Sequence, residues 1–258
     1  MLTITETELF TWVAAFIWPL IRISSLLLTM PLVSMRAVPA TVRIVIAIIL
    51  TLFMMPLLPP MASVDMFSYT GLVIALQQLL IGIVIGFILQ VVFAAVVFAG
   101  QGVALSMGLG FAVLVDPSNG EQVPVVPQFY VMVTTLVFLG VDGHLVVLKM
   151  LLDSFVSLPI AKVGFGLDDI WIIAAWTSRL FAAGLLLAMP LVVSLLLVNI
   201  AFGVASRAAP QLNVFSIGFP VSLFLGILLI WLSLPSILDE FPGLLVEAYD
   251  FIEKLLQL

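Results

Sequence analysis

An all-α protein of the integral-membrane type, with about six long apolar helices carrying kinks, is predicted by three observations. Hydrophobic residues make up 64% of the chain, charged residues 9%, and the mean hydropathy is +1.38. A soluble domain carries about 25% charged residues. The apolar residues are also gathered into runs near the ~20 residues a helix needs to cross a hydrocarbon core. Lastly, a stretch rich in glycine yet mostly apolar, residues 101–120, interrupts the chain. Loops that face water are polar. Irregular backbone of this composition survives in a membrane protein only where protein buries it or where it lines a cavity. The stretch therefore reads as a segment folded into a pore or between helices, as in a channel, transporter or secretion gate.

The runs follow in order. Residues 9–33 form the first, with Pro19 and Arg22 inside it. Its N-terminal flank has acids and no basic residue, unlike a signal peptide, so this run is expected to be retained. A second, short run covers 42–58 and ends at Pro56, Pro59 and Pro60, since proline lacks the amide proton and clashes with the preceding turn. Residues 71–100 give a long third run and 123–139 a fourth. The stretch 145–158 is apolar but short and carries Lys149 and Asp153, which suits an interfacial segment or a half-helix. Residues 170–205 exceed one straight span, so a tilt, a kink or a short lead-in helix is expected near Arg179 and Pro190. The last run is 214–234. Six spans are counted, with five or seven as alternatives. From Leu244 onward, Glu247, Asp250, Lys254 and Gln257 recur at helical spacing opposite Leu245, Ala248, Phe251, Ile252 and Leu255. That pattern is an amphipathic helix, expected to be set off from the last run by Pro242 and Gly243. Its acids disfavour anionic lipid, and docking on protein suits it at least as well.

Composition excludes several classes. The net charge is −6 and the basic residues are scattered, which argues against a nucleic-acid partner. No cysteine and one histidine leave neither a disulfide nor a paired ligand set, so no metal, cofactor or catalytic residue is assigned. His144 follows Asp142-Gly143 and reads as a turn residue. Asp168 and Asp169 suit the start of a helix, where the positive dipole end favours acids. Arg22 is a costly charge inside a span. With no acid in the neighbouring spans, it is read as structural, snorkelling or pairing with another subunit. Gln77, Gln78, Gln90 and Gln101 concentrate amides in one apolar region, and Gly82 and Gly86 form Gly-x-x-x-Gly on the same run. Together they suggest a helix-packing face. Spans nearly free of acids favour a passive or partner-driven conduit over an ion-coupled carrier. Arg36 and Arg43 flank the first connection and Arg207 opens the last, which places both on the cytoplasmic side and the termini outside.

Two stretches carry a family resemblance. The run Met107-Gly108-Leu109-Gly110-Phe111-Ala112, followed by Val115-Asp116-Pro117, resembles the central loop of the FliR family, flagellar type III export gate subunits. The run from Arg207 through Pro210, Gln211, Asn213 and Phe215 to Pro220 resembles the other diagnostic stretch of that family. The resemblance covers essentially the whole chain. It implies a single copy joined to FliP-like and FliQ-like subunits in a helical export gate of the bacterial inner membrane and flagellar basal body. FlhA-like and FlhB-like export proteins would be neighbours, and unfolded flagellar proteins the cargo. It further implies a FliP-like region over residues 1–167 containing a plug loop at 101–122, a FliQ-like hairpin at 168–238, and the amphipathic helix at 239–258. Met107, Gly108, Leu109, Gly110, Phe111, Val113, Leu114, Asp116 and Pro117 would form the pore plug. Gly82, Gly86, Gln90, Arg207, Pro210, Gln211, Asn213 and Pro220 would serve packing and assembly. The alternative is a small-molecule or ion transporter of the inner membrane, which an internal structural repeat would support.

Overall fold

The computed structural model describes residues 6–34, 38–59, 68–110, 124–160, 164–208 and 214–257. Among them every regular element is helical. The elements are α1 (Glu6–Thr29), α2 (Pro31–Ser34), α3 (Ala40–Met54, prolonged by a tight turn at Met55–Leu57) and α4 (Tyr69–Ser106). Then come α5 (Val125–Gly140), α6 (Gly143–Ser157), α7 (Leu167–Trp176), α8 (Ser178–Ala208) and α9 (Val214–Leu256). The all-α expectation holds. By length and composition five helices could cross a membrane, and a sixth span arises if α5 and α6 count as one bent pair. Pro56 lies in the turn that ends α3, as expected. The over-long run at 170–205 resolves as the lead-in helix α7 followed by α8. Asp168 and Asp169 occupy the first turn of α7, and the Asp169 carboxylate accepts the Gly166 N–H at 2.8 Å.

The chain forms two compact units. The first comprises Met1–Val91, Asp142–Thr177 and Leu245–Leu258. One of its buried clusters joins Ala14 and Trp18 of α1 to Ile74 of α4. Gly82 and Gly86 let α1 approach α4 closely. A Cβ at Gly82 would lie 2.9 Å from the Leu26 nitrogen and would collide with Ser25 Oγ. One at Gly86 would lie 2.8 Å from Thr29 Cβ. The Gly-x-x-x-Gly face thus packs on the chain's own first helix.

Arg22 departs from expectation. It neither snorkels nor waits for another subunit, because it is fully buried and satisfied within its own chain. Its Nε donates to Gln78 Oε1 at 2.8 Å, Nη1 to the Ser154 carbonyl at 2.7 Å and Oγ at 3.0 Å, and Nη2 to the Leu158 carbonyl at 2.8 Å. The guanidinium carbon lies 4.2 Å from the Phe155 ring centroid. Ser154 lies in the last turn of α6 and Leu158 caps it; the Ser154 carbonyl also accepts the Leu158 N–H at 3.0 Å, and this end of the helix dipole is negative. A planar cation with a fork of donors suits these acceptors.

The C-terminal segment shows the expected two faces. Leu245, Ala248, Ile252 and Leu256 are buried, while Glu247, Asp250, Glu253 and Lys254 are exposed. It docks on the first unit itself: Phe251 stacks on Trp176 at 5.0 Å, and the Tyr249 hydroxyl donates to the Gly143 carbonyl at 3.3 Å. Pro242 and Gly243 do not set it off, since α9 passes through both, and through Pro220 and Pro235, as one helix of 43 residues. Burial of Phe241 and Leu245 on either side holds the helix across the missing hydrogen bond.

The second unit comprises Val92–Val141 and Ser178–Leu244. Phe93 of α4 meets Phe138 of α5 and Phe241 of α9 edge-to-face, at 5.7 and 5.4 Å. Gly100 of α4 lies under Pro127 of α5, where a Cβ would come within 2.7 Å of the proline Cα. Gly184 of α8 lies on the Ala95 carbonyl and the Phe98 ring, each 2.7 Å from where its Cβ would be. Small residues therefore permit close helix approaches in both units.

Candidate functional site

The apolar glycine-rich stretch begins as the ordered end of α4. Residues 101–106 are helical, so irregular backbone starts later than the composition suggested. The helix ends in a Schellman cap. The Leu109 N–H donates to the Ala104 carbonyl at 3.1 Å, and the Gly108 N–H to the Leu105 carbonyl at 3.0 Å. Gly108 has φ +84°, the left-handed conformation this cap requires and that glycine adopts without steric cost. The direction of the chain after α4 is thereby set at one residue.

Three further contacts hold this end of α4 within the second unit. Met107 is 1% exposed and fills the space left by the absent side chain of Gly226 on α9, where a Cβ would lie 2.6 Å from Met107 Cε and 2.7 Å from Sδ. The Ser106 carbonyl, orphaned at the helix end, accepts the Asn199 side-chain amide of α8 at 3.1 Å. Asn199 Oδ1 in turn accepts the Ser222 hydroxyl of α9 at 2.9 Å. Phe219 of α9 stands beside Gly108, its Cδ2 3.2 Å from where a Cβ would be. These groups offer shape and hydrogen bonding. They include no titratable residue, and among the described residues no cluster of His, Cys, Asp or Glu could hold a metal ion.

The family relationship follows from sequence comparison. The family model described as "Bacterial export proteins, family 1" matches residues 13–248. The chain is 38% identical to the flagellar biosynthetic protein FliR of Escherichia coli (strain K12) over 99% of its length and 98% of that protein's. It is 37% identical to FliR of Pectobacterium carotovorum subsp. carotovorum over the same shares. With FliR of Bacillus subtilis (strain 168) it shares 32% identity over 84% of each chain. The chain belongs to the FliR family. FliR proteins are flagellar biosynthetic export proteins, and the long apolar helices of this one give it a membrane character.

Of the residues expected to act in this FliR-family chain, Met107, Gly108, Leu109 and Gly110 lie together at the capped end of α4. Phe111, Val113, Leu114, Asp116 and Pro117 fall outside the described residues, as do Pro210, Gln211 and Asn213. Arg207 is exposed in the last turn of α8, and Pro220 is exposed within α9. Gln90 is exposed on α4, whereas Gln78 is consumed by Arg22. Sequence reasoning missed Asn199, Ser222 and Gly226 altogether. Asn199 carried a readable signal, an amide within the apolar run from Leu195 to Ala201 of a FliR span. Gly226 carried none, because glycine is common in membrane helices.

Proposed function

We propose that this chain is the single FliR-like subunit of a flagellar type III export gate. With FliP-like and FliQ-like partners it forms the conduit for unfolded flagellar proteins, and its apolar glycine-rich run from Met107 to Pro117 plugs the pore. The gate lies in the bacterial inner membrane within the flagellar basal body, with FlhA-like and FlhB-like export proteins as neighbours. Residues 1–167 serve as the FliP-like region, 168–238 as the FliQ-like hairpin and 239–258 as the terminal helix. The observation that carries the reading is the full-length similarity to FliR proteins, which spans both the run after α4 and the stretch from Arg207 to Pro220. The Schellman cap supports it, because it ends α4 at a defined residue and launches apolar chain from a fixed point. An apolar constriction seals a conduit without any charge.

Deletion of residues 110–115 tests the reading. The expected result is normal assembly with the partner subunits together with ion leakage through the resting gate, measured as conductance or small-solute entry in cells. A deletion that assembles fully and stays as tight as the parent overturns the plug.

A further inference from the structure

We infer that the end of α6 is a built guanidinium site, filled in cis by Arg22, and that filling it lets the chain leave its helix inside the apolar first unit. The inference stands on that unit alone and does not rest on the gate reading. α1 and α4 are long and apolar enough to cross a membrane, over Trp12–Thr29 and Tyr69–Ser106. α6 stops against their interiors rather than beyond their ends. Its cap, Leu158, is bonded to Arg22, and Ile160 packs on the cluster of Ala14, Trp18 and Ile74. Further on, a Cβ at Gly164 would lie 2.8 Å from Gln77 Cδ. Leu158, Ile160 and Gly164 belong to no helix. Non-helical backbone at such depth persists only where protein satisfies its polar groups. Four neutral oxygens meet the cation, within 3.0 Å of its nitrogens: Gln78 Oε1, the Ser154 carbonyl and Oγ, and the Leu158 carbonyl. They are spread over all three guanidinium nitrogens, with the Phe155 ring 4.2 Å from the central carbon. Ser154 Oγ spends its own proton on the Leu151 carbonyl at 2.6 Å, which leaves its lone pairs for Arg22. A flat, delocalised cation uses three separated sets of acceptors and an aromatic platform, which a compact ammonium or alkali ion does not.

Chemical rescue tests the site. The chain has no cysteine, so Leu158→Cys introduces a lone thiol at a buried position and keeps the backbone carbonyl that Arg22 holds. Its rate of maleimide labelling, measured on the full chain in isolated membranes, reports how often the α6 end opens. Adding Arg22→Ala to that parent is expected to speed labelling at least about tenfold, the worth of one hydrogen bond to a charged group in an opening equilibrium. Millimolar guanidinium or methylguanidinium should return the rate most of the way to the parent's. Potassium, methylammonium and urea at equal concentration should not. Phe155→Leu in the same background should weaken the rescue. Labelling no faster after Arg22→Ala overturns the claim that Arg22 holds this end. A folded Arg22→Ala chain that guanidinium does not protect, or that potassium protects equally, overturns the guanidinium site. If Arg22→Ala yields no folded chain, Ser154→Ala decides with Arg22 in place. It removes one acceptor and should label several-fold faster than the parent, with no slowing by added guanidinium because the site is filled. Labelling at the parent rate, or slowing by guanidinium, overturns the inference.

Discussion

At the residue scale, Arg22 shows how a cation can be buried against neutral partners. Its partners are an amide, a hydroxyl and the carbonyls at one helix end. Arg22→Leu strands Gln78 Oε1 and the Leu158 carbonyl, and each unsatisfied buried acceptor costs about 1–3 kcal/mol. Thermal unfolding of the detergent-solubilised chain should register a loss of that order. Adding Gln78→Leu should recover part of it, because removing both partners of a hydrogen bond costs less than removing one. A double variant no more stable than Arg22→Leu would show that the Gln78 contact contributes nothing. Arg22→Lys should fall between, since a point charge cannot reach both α1's neighbours at once or lie flat on Phe155. The sequence announced that Arg22 mattered but not its partners. A search for acids was blind to carbonyls, which every residue carries. Gly82 and Gly86 were legible as a packing face, and the structure supplies the occupant. Gly82→Leu with Gly86→Leu should lower the yield of folded chain even without partner subunits, at about 1–3 kcal/mol per site. Unchanged yield would mean that α1 can retreat at little cost.

Among the elements, α4 and α9 are the parts the sequence read least well. The runs themselves were visible because apolar residues cluster, and the proline stop after α3 and the lead-in helix before α8 followed from rules that act locally. The ends of α4 and α9 depend on tertiary contact. Gly100 and Gly102 resemble breaks in composition, yet at Gly100 the missing side chain admits Pro127 and the helix continues. Pro242-Gly243 resembles a boundary, yet buried neighbours carry α9 through it. The true end of α4 rests on one dihedral. Gly108→Ala places a Cβ in the left-handed region, at a cost of about 1–2 kcal/mol, and against Phe219. Hydrogen exchange should then show faster loss of protection at the amides of Met107, Gly108 and Leu109, with the middle of α4 unaffected. Equal protection in both forms would mean that the cap does not depend on glycine.

On the scale of the whole molecule, exposed apolar surface sets the expectations. α3 presents Ile44, Ile48, Leu52 and Phe53, and α8 presents Leu186, Leu197, Ile200 and Val204. α4 is 38 residues long and α9 is 43, well beyond the ~20 that span a hydrocarbon core. Coexpression with FliP-like and FliQ-like subunits should therefore turn a heterogeneous detergent extract into one discrete complex on size exclusion. A monodisperse monomer with transport of its own would contradict the gate reading. The membership of the two units has a consequence for how the protein is made. The first unit draws on three separated stretches of the chain, Met1–Val91, Asp142–Thr177 and Leu245–Leu258. At bacterial synthesis rates of about 5–20 residues per second, roughly 10–50 s separate the emergence of the first residues from that of Leu245. During that interval the first unit lacks one of its three stretches. A nascent chain of this kind is open to capture by a partner, by a chaperone or by a protease until the stretch Leu245–Leu258 has emerged to complete the unit.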